Sequence, residues 1–365
     1  MTSRSVRPVM PVDPADIRIR VLQSAILAPS PHNTQPWRVA FKGEERILLS
    51  IDRTRLIPGC DPIGRQAYIS AGAFLENLDL AAKSEGFRAD IDLFPGGWPD
   101  ARTVAEDPVA HVDLVEDRRV GCDPLFRQVP LRHTNRRRFE KMKVPLKAAG
   151  ELTASYDFSL VPLGFSSDDD LIRSVADLAS DAMEIELADR ERMRETLQYF
   201  RFTDREARSS PEGFGHAQSG YGYLARFFIG RFVLTRERAS TSPESFSRMA
   251  KKSVREQLAG AGGIGWLSTK GDHRVDQVRA GRAYQRVHLK ACALGLALQP
   301  VSQIIADYPG MAKLRSEIHE LLGVPGTHTI QMLFRLGYAA PVPATPRRAL
   351  GEFFLKRTDS PAPST

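Results

Sequence analysis

Two stretches of this chain repeat one another without a gap. Residues 71–86 line up with residues 280–295, opening on Ala71-Gly72 and Ala280-Gly281 and ending on Gly86 and Gly295. Within that frame Leu80 matches Leu289 and Ala82 matches Ala291, so five of the sixteen positions are identical. Each stretch has helical spacing, closes on a glycine suited to a helix C-cap, and is followed by an extended segment and a strand. Such a repeat restricts the fold to two related units in one polypeptide, with the two copies of the helix buried against each other. A chain built this way resembles a dimer within a single molecule.

The remaining pattern fits that frame. Asp13-Pro14-Ala15-Asp16 reads as a helix start, with Asp13 as N-cap, Pro14 at the first helical position and Asp16 at the third. Ile17, Val21, Leu22 and Ala25 follow at helical spacing, and the helix stops before Pro29. Residues 38–41 and 46–51 read as strands joined by a Lys-Gly-Glu turn, 64–84 as a second helix and 109–115 as a strand. Later, residues 170–200 read as one long charged helix, 273–297 as a mostly apolar helix and 329–336 as a buried strand. Residues 201–262, rich in Gly, Ser, Arg and aromatics, match neither half and read as an inserted helical lid. The expected fold is α+β, with helices packed around mixed sheets. Its first half spans 1–130 and its second 131–357, with loose ends at 1–12 and 358–365.

Composition narrows the function classes. With 365 residues, 42% hydrophobic and 26% charged, the chain is long and apolar enough to build a large core. No apolar run approaches the roughly 20 residues of a membrane span, and the N-terminus lacks a secretory pattern, so a cytoplasmic location is expected. Cys60, Cys122 and Cys292 show neither paired nor zinc-finger spacing, which favours free thiols over a disulfide or metal site. The net charge of +7 is spread along the chain, with its densest cluster at 132–138. Neither aromatic platforms nor a recognition helix accompany it, so a small anionic ligand fits better than nucleic acid.

The densest polar motif is 28–38, Ala-Pro-Ser-Pro-His-Asn-Thr-Gln-Pro-Trp-Arg. Its prolines stiffen a short turn, and Ser30, His32, Asn33, Thr34 and Gln35 crowd neutral donors and acceptors onto it. That chemistry suits a polar, planar ligand, although plain turn chemistry accounts for the same residue types.

Taken together, the blocks resemble the nitroreductase superfamily of FMN-dependent oxidoreductases, and its Acg-type branch in which two nitroreductase-like halves share one chain. The resemblance rests on 28–38; on Asp61-Pro62-Ile63-Gly64-Arg65 running into the repeated helix; on Arg132-His133-Thr134-Asn135-Arg136; on 280–300; and on Gly337-Tyr338 with Thr345-Pro346-Arg347-Arg348. It implies one composite flavin site. The first half would supply Pro29, Ser30, Asn33 and Gln35 to the ring edge and ribityl chain. The second half would bring Arg132 and Thr134 to the phosphate and His133 to the pyrimidine side, with Arg347 and Arg348 closing on the same phosphate. The loop with Val301, Ser302 and Gln303 would put a backbone N–H beside flavin N5. Forked guanidinium donors suit a terminal phosphate. On the residues alone, Arg347 and Arg348 read equally as a solvated pair, Arg136 to Arg138 as surface, and His32 and His133 as structural histidines.

The resemblance further implies one FMN per chain, with NAD(P)H as reductant and a small electron-poor acceptor. Arg4-Ser5-Val6-Arg7 looks like a degenerate second phosphate opening, but the first half has no match to 345–348 and the second no copy of the 29–37 loop, so a mirror-image site is expected to have decayed. A monomer or a homodimer would both serve. Two rival functions share the same blocks: an FMN-sequestering protein, and a dedicated biosynthetic flavin oxidase or dehydrogenase. In the first, the lid covers a silent flavin through Phe214, Tyr221, Tyr223, Phe227 and Phe228; core packing accounts for those aromatics as well.

Overall fold

The computed structural model describes residues 13–219 and 243–354. Tyr221, Tyr223, Phe227, Phe228, the 4–7 segment and the 358–365 tail lie outside the described residues. In the first half, α1 (Ile17–Ala25), β1 (Trp37–Lys42), β2 (Arg46–Ile51), α2 (Arg65–Ser84), β3 (Phe87–Leu93) and β4 (Ala110–Glu116) follow one another. Then come α3 (Leu146–Thr153), β5 (Leu163–Ser166), α4 (Asp169–Ala188), α5 (Arg190–Tyr199), β6 (Phe200–Arg201), α6 (Asp204–Ser209) and β7 (Phe214–Gly215). After the second boundary lie α7 (Pro243–Ala259), β8 (Gly263–Lys270), α8 (Arg274–Ala293), β9 (Ala297–Pro300), α9 (Ala312–Leu321) and β10 (His328–Gly337).

The duplication is visible in the sheets. One sheet runs β1-β2-β4-β3, the other β5-β8-β10-β9. Substituting β5 for β1, β8 for β2, β9 for β3 and β10 for β4 converts the first order into the second. Neighbouring named strands in both are antiparallel, and a parallel bridge joins the edge strand of each, Val39 with Phe354 on β1 and Leu298 with Thr134 on β9. Only β1–β2 and β3–β4 are consecutive elements of the chain; the other neighbours are reached through helices or the long 167–262 stretch.

Between the sheets lies the repeated helix pair. α2 is buried along nearly its whole length, and α8 buries most of its residues. They touch at the equivalent glycines. A Cβ on Gly72 would fall on the carbonyl of Val278 and 2.9 Å from the Cα of Gly281; one on Gly281 would fall on the carbonyl of Ile69. Only glycine permits this approach. α8 is less apolar than its sequence suggests, burying Arg274, Gln277, Gln285 and His288. These groups have partners: Gln285 Nε2 donates to Asn77 Oδ1 at 2.7 Å across the helix pair. Arg65 and Arg274 open their helices at equivalent positions, and each reaches into the opposite half. Arg65 pairs with Asp307 (2.7 Å) and donates to the carbonyls of Ile305, Ile330 and Gln331, whereas Arg274 donates to those of Ile63 (2.6 Å) and Thr103 (2.8 Å).

Two local expectations are corrected. α1 begins at Ile17, with Asp16 rather than Asp13 as its cap, because the Asp16 carboxylate takes the N–H of Arg18 at 2.8 Å while Asp13 closes the preceding turn. The expected 170–200 helix breaks at Asp189, whose extended backbone and carboxylate cap α5 through Glu191 and Arg192. β1 and β2 are joined by a turn at Gly43, whereas their counterparts β5 and β8 are separated by residues 167–262, the stretch that carries α4, α5, α6 and α7. α4 and α7 pack together, burying Ile172, Val175, Ala179 and Leu258.

Candidate functional site

The prolines after α1 force the chain into the 30–35 turn, where His32, Asn33 and Gln35 hold positive φ values of 46°, 56° and 52°. Three such residues within four positions, with only Thr34 (φ −70°) between them in the right-handed region, are sterically costly, and interactions on all sides hold them. Ser30 Oγ accepts the N–H of Gln35 (2.9 Å). The Asn33 side chain accepts from Arg347 (2.9 Å) and donates to the carbonyls of Pro346 (3.0 Å) and Gly213 (3.1 Å). Gln35 accepts the N–H of Arg348 (2.9 Å) and donates to the carbonyls of Asn33 (3.2 Å) and Pro211 (2.8 Å). Asn33 and Gln35 therefore lash the turn to the C-terminal segment and to the insertion. Thr34 Oγ1 and His32 Nδ1 are buried without a hydrogen-bond partner.

Arg132 arrives at the same place from the start of the second half. It is 4% exposed, donates to the carbonyl of Leu27 at 3.2 Å, and leaves Nε–H buried and unpartnered. Arg347, half-buried, spans the end of α1 by donating to the carbonyls of Ile26 (3.0 Å), Leu27 (3.1 Å) and Ala28 (3.3 Å). Among the described residues no carboxylate pairs with either guanidinium. Burial and the charge of Arg132 push Arg347 down to about 9, and burial lowers Arg132 as well. Such an uncompensated pair of cations is expensive unless an anion joins it.

The structure turns Arg348 elsewhere. Its guanidinium lies over the Phe353 ring (4.3 Å) and bonds the carbonyls of Gln35 (3.3 Å) and Glu352 (2.6 Å). His133 is half-buried beside the pair; burial, then Arg132 and Arg347, bring it down to about 4. Thr134 bridges to Leu298 in β9, which fixes the 132–135 segment to the second sheet. Beyond β9, Val301 packs its side chain into the α4–α7 core and commits its N–H to the carbonyl of Leu333 (2.7 Å). Among the described residues, the N–H groups of Ser302 and Gln303 make no hydrogen bond. Pro29 is half-buried at the head of the turn.

Three participants escaped sequence reading. Tyr284 and His288 lie one turn apart on α8, each 2% exposed, their rings 5.7 Å apart. Arg136 is half-buried against the Phe214 ring (4.4 Å) rather than solvated, and burial brings it down to about 10. The only legible signal for the first two was their i, i+4 spacing on a helix face.

The insertion reaches this site. Its 211–218 segment supplies the Pro211 and Gly213 carbonyls to the turn, Glu212 to Arg55, and the Gln218 carbonyl to the N–H of Arg136 (2.9 Å). Phe214 packs against His32, ring centroids 5.6 Å apart. A cavity of about 1330 Å³ lies within the 167–262 stretch, lined by α4, α5 and α7 residues such as Met193, Arg194 and Lys251, away from Arg132. Among the described residues, no helix is long and apolar enough to cross a membrane.

Comparison with known proteins agrees with the resemblance carried by the sequence blocks. Residues 258–338 match the model of the Nitroreductase family. The chain is 27% identical over 355 residues to a Mycobacterium tuberculosis protein named “Putative NAD(P)H nitroreductase acg”, covering 94% of this chain and 96% of that one. It is 25% identical to “Probable NAD(P)H nitroreductase PigM” from a Serratia strain, covering 84% and 86%. Among solved structures, an Anabaena variabilis protein described as “a putative nitroreductase” aligns over 86% of this chain and 82% of its own, with 11% identity and a TM-score of 0.47.

Proposed function

We propose, on the nitroreductase match and the cation pair at the end of α1, that this chain is an FMN-dependent oxidoreductase of the nitroreductase type, taking electrons from NAD(P)H to a small electron-poor acceptor. The observation that carries the reading is the Arg132–Arg347 pair, two guanidinium groups converging on the end of α1 with no carboxylate beside them among the described residues. A terminal phosphate, with about −1.5 to −2 charges, supplies what that pair lacks. The residues fit such a group: Arg132 keeps an unpartnered donor, while Arg347 spends its N–H groups on backbone carbonyls and contributes its field. Arg348, tied to Glu352, is left out of the phosphate site.

FMN would supply the redox chemistry, accepting a hydride and passing its electrons on. The protein's part is binding and orientation. Thr134, beside Arg132, offers a hydroxyl to the phosphate. Burial first, and then its cationic neighbours Arg132 and Arg347, keep His133 neutral at physiological pH, so it can face a polar ring edge without adding charge. The 29–35 turn, with Pro29, Ser30, Asn33 and Gln35, forms a rigid wall. The N–H groups of Ser302 and Gln303 are the available donors on the opposite segment, since that of Val301 is committed.

A second reading draws on the 211–218 segment, whose carbonyls and Phe214 hold the turn from the insertion side. There FMN is held under a cover that NAD(P)H does not pass. Anaerobic mixing of FMN-loaded protein with NADPH separates the two. Bleaching of the flavin band at about 450 nm is expected for the oxidoreductase. Bleaching by dithionite but not NADPH moves the reading to sequestration. Failure to take up FMN at all overturns both.

A further inference from the structure

The hydroxyl of Tyr284 is buried and has no hydrogen-bond partner, and so is Nε–H of Arg132. These two unsatisfied donors come from different elements, α8 and the opening of the second half, yet they belong to one cluster. Arg132 and Arg136 stand close enough to Tyr284 for each to bear on its charge, and the Tyr284 ring packs at 5.7 Å from His288 and 5.8 Å from Phe334. A buried phenol hydroxyl left unpaired is costly, as is an unpaired guanidinium N–H.

His288 explains how Arg132 is aimed. Its Nε2 lies 3.3 Å from the carbonyl of His133, which only accepts, so Nε2 carries the proton. Nδ1 is then the acceptor, and it faces Arg132 Nη1 at 3.4 Å. One Arg132 nitrogen is held by His288, another by the Leu27 carbonyl at 3.2 Å, and Nε–H is the donor that remains.

We propose that the Tyr284 hydroxyl and Arg132 Nε–H form one oxyanion pocket for the phosphate of the bound cofactor, with His288 as the residue that positions Arg132. The proposal rests on the reading of the site as one for FMN. It assigns phosphate recognition to a tyrosine in the middle of a buried helix that no motif marked. A hydrogen bond to a charged oxygen is worth about 10- to 100-fold in affinity, and it vanishes when the ligand lacks the phosphate.

The test compares FMN with riboflavin on the full chain. Dissociation constants are measured by flavin fluorescence for wild type, Tyr284→Phe and His288→Leu, with the melting temperature as a control on folding. Wild type is expected to prefer FMN strongly. Tyr284→Phe, which keeps the ring packed, is expected to weaken FMN by about 10-fold or more and leave riboflavin unchanged. His288→Leu is expected to lower the same FMN-to-riboflavin ratio, because Arg132 loses its acceptor; a merely structural role for His288 would weaken both ligands together. Wild type preferring FMN while Tyr284→Phe keeps the full preference, or loses both ligands equally, overturns the pocket and leaves the FMN reading standing. Wild type binding neither flavin overturns the FMN reading and the pocket with it.

Discussion

The two flanks of the α2–α8 pair make opposite use of arginine. Beyond the end of α3, Arg286 donates to the Ser155 carbonyl (2.8 Å), much as Arg132 and Arg347 donate to carbonyls at the end of α1. There, however, carboxylates close the circuit. Arg286 pairs with Glu76 (3.0 Å) and Asp123 (2.6 Å), and Arg282 pairs with Glu76 (2.8 Å) and Asp79 (3.2 Å). On the other flank the α8 residue equivalent to Asp79 is His288, and no acid accompanies Arg132 and Arg347 among the described residues. The same helix crossing thus carries a self-neutralised network on one side and uncompensated cations on the other. The first arrangement stabilises the fold and has no use for an anion; the second leaves charge that a ligand can satisfy. On the proposed FMN reading, this contrast predicts one flavin per chain.

The largest effect is expected where the flanks meet. Gly72→Ala or Gly281→Ala drives a methyl onto a backbone carbonyl that cannot move aside. Either substitution should cost more than about 4 kcal/mol, above the usual 1–3 for overpacking, in denaturant unfolding or as loss of soluble protein. Equal damage at both positions supports the pseudo-twofold crossing; tolerance at one breaks it.

On the paired flank, Glu76→Gln leaves Arg282 and Arg286 short of their shared, fully buried carboxylate. A loss of roughly 3 kcal/mol is expected, with FMN affinity unchanged. A loss of FMN binding in this variant would mean that the paired flank carries a site after all. On the other flank the signs reverse. Arg132→Met should weaken FMN by about 100-fold, about 2.7 kcal/mol, while the melting temperature of the ligand-free protein holds or rises. Titration of wild type should saturate at one FMN per chain; two would contradict the contrast directly.

Much of this was legible in the sequence, and for a physical reason. The repeat was visible because the crossing demands glycine at 72 and 281 and because both helices end on a left-handed glycine, Gly86 and Gly295, with φ of 79° and 71°. The 28–38 turn and Arg132 were visible because local rules govern prolines and motif openings. What stayed hidden depends on partners distant in sequence. Nothing near Asn33 announces that Arg347 and Gly213 use up its side chain; Arg348 is the exception, held by Glu352 and Phe353 only four and five residues on, in a turn that propensity alone does not mark. Residues 273–297 read as apolar, yet Tyr284 and His288 acquire their meaning only from Arg132. That α4 lies between two neighbouring strands is also hidden, because it carries an ordinary amphipathic pattern and only the pairing of β5 with β8 brings the flanking strands together.

The smallest effect is a difference in acid sensitivity. On the cationic flank burial and neighbouring arginines bring His32 and His133 from the ordinary 6.5 to about 4. Between those values the unfolded chain takes up protons that the folded chain refuses, so stability is whole above about pH 6.5 and falls as pH drops toward 4. The paired flank behaves differently. Burial pulls Asp123 upward, but the N–H of Leu125 and the guanidinium of Arg286 outweigh it and hold the carboxyl below its ordinary 3.8. The stability it contributes survives until pH falls below that value. Melting temperatures across pH 3–7 should therefore show a shallower upper acid limb in His133→Gln, with the His32 share remaining, and soften only at the bottom in Asp123→Asn. If both variants changed the same part of the curve, the two flanks would share one electrostatic environment, and the division between a structural flank and a ligand-binding flank would fail.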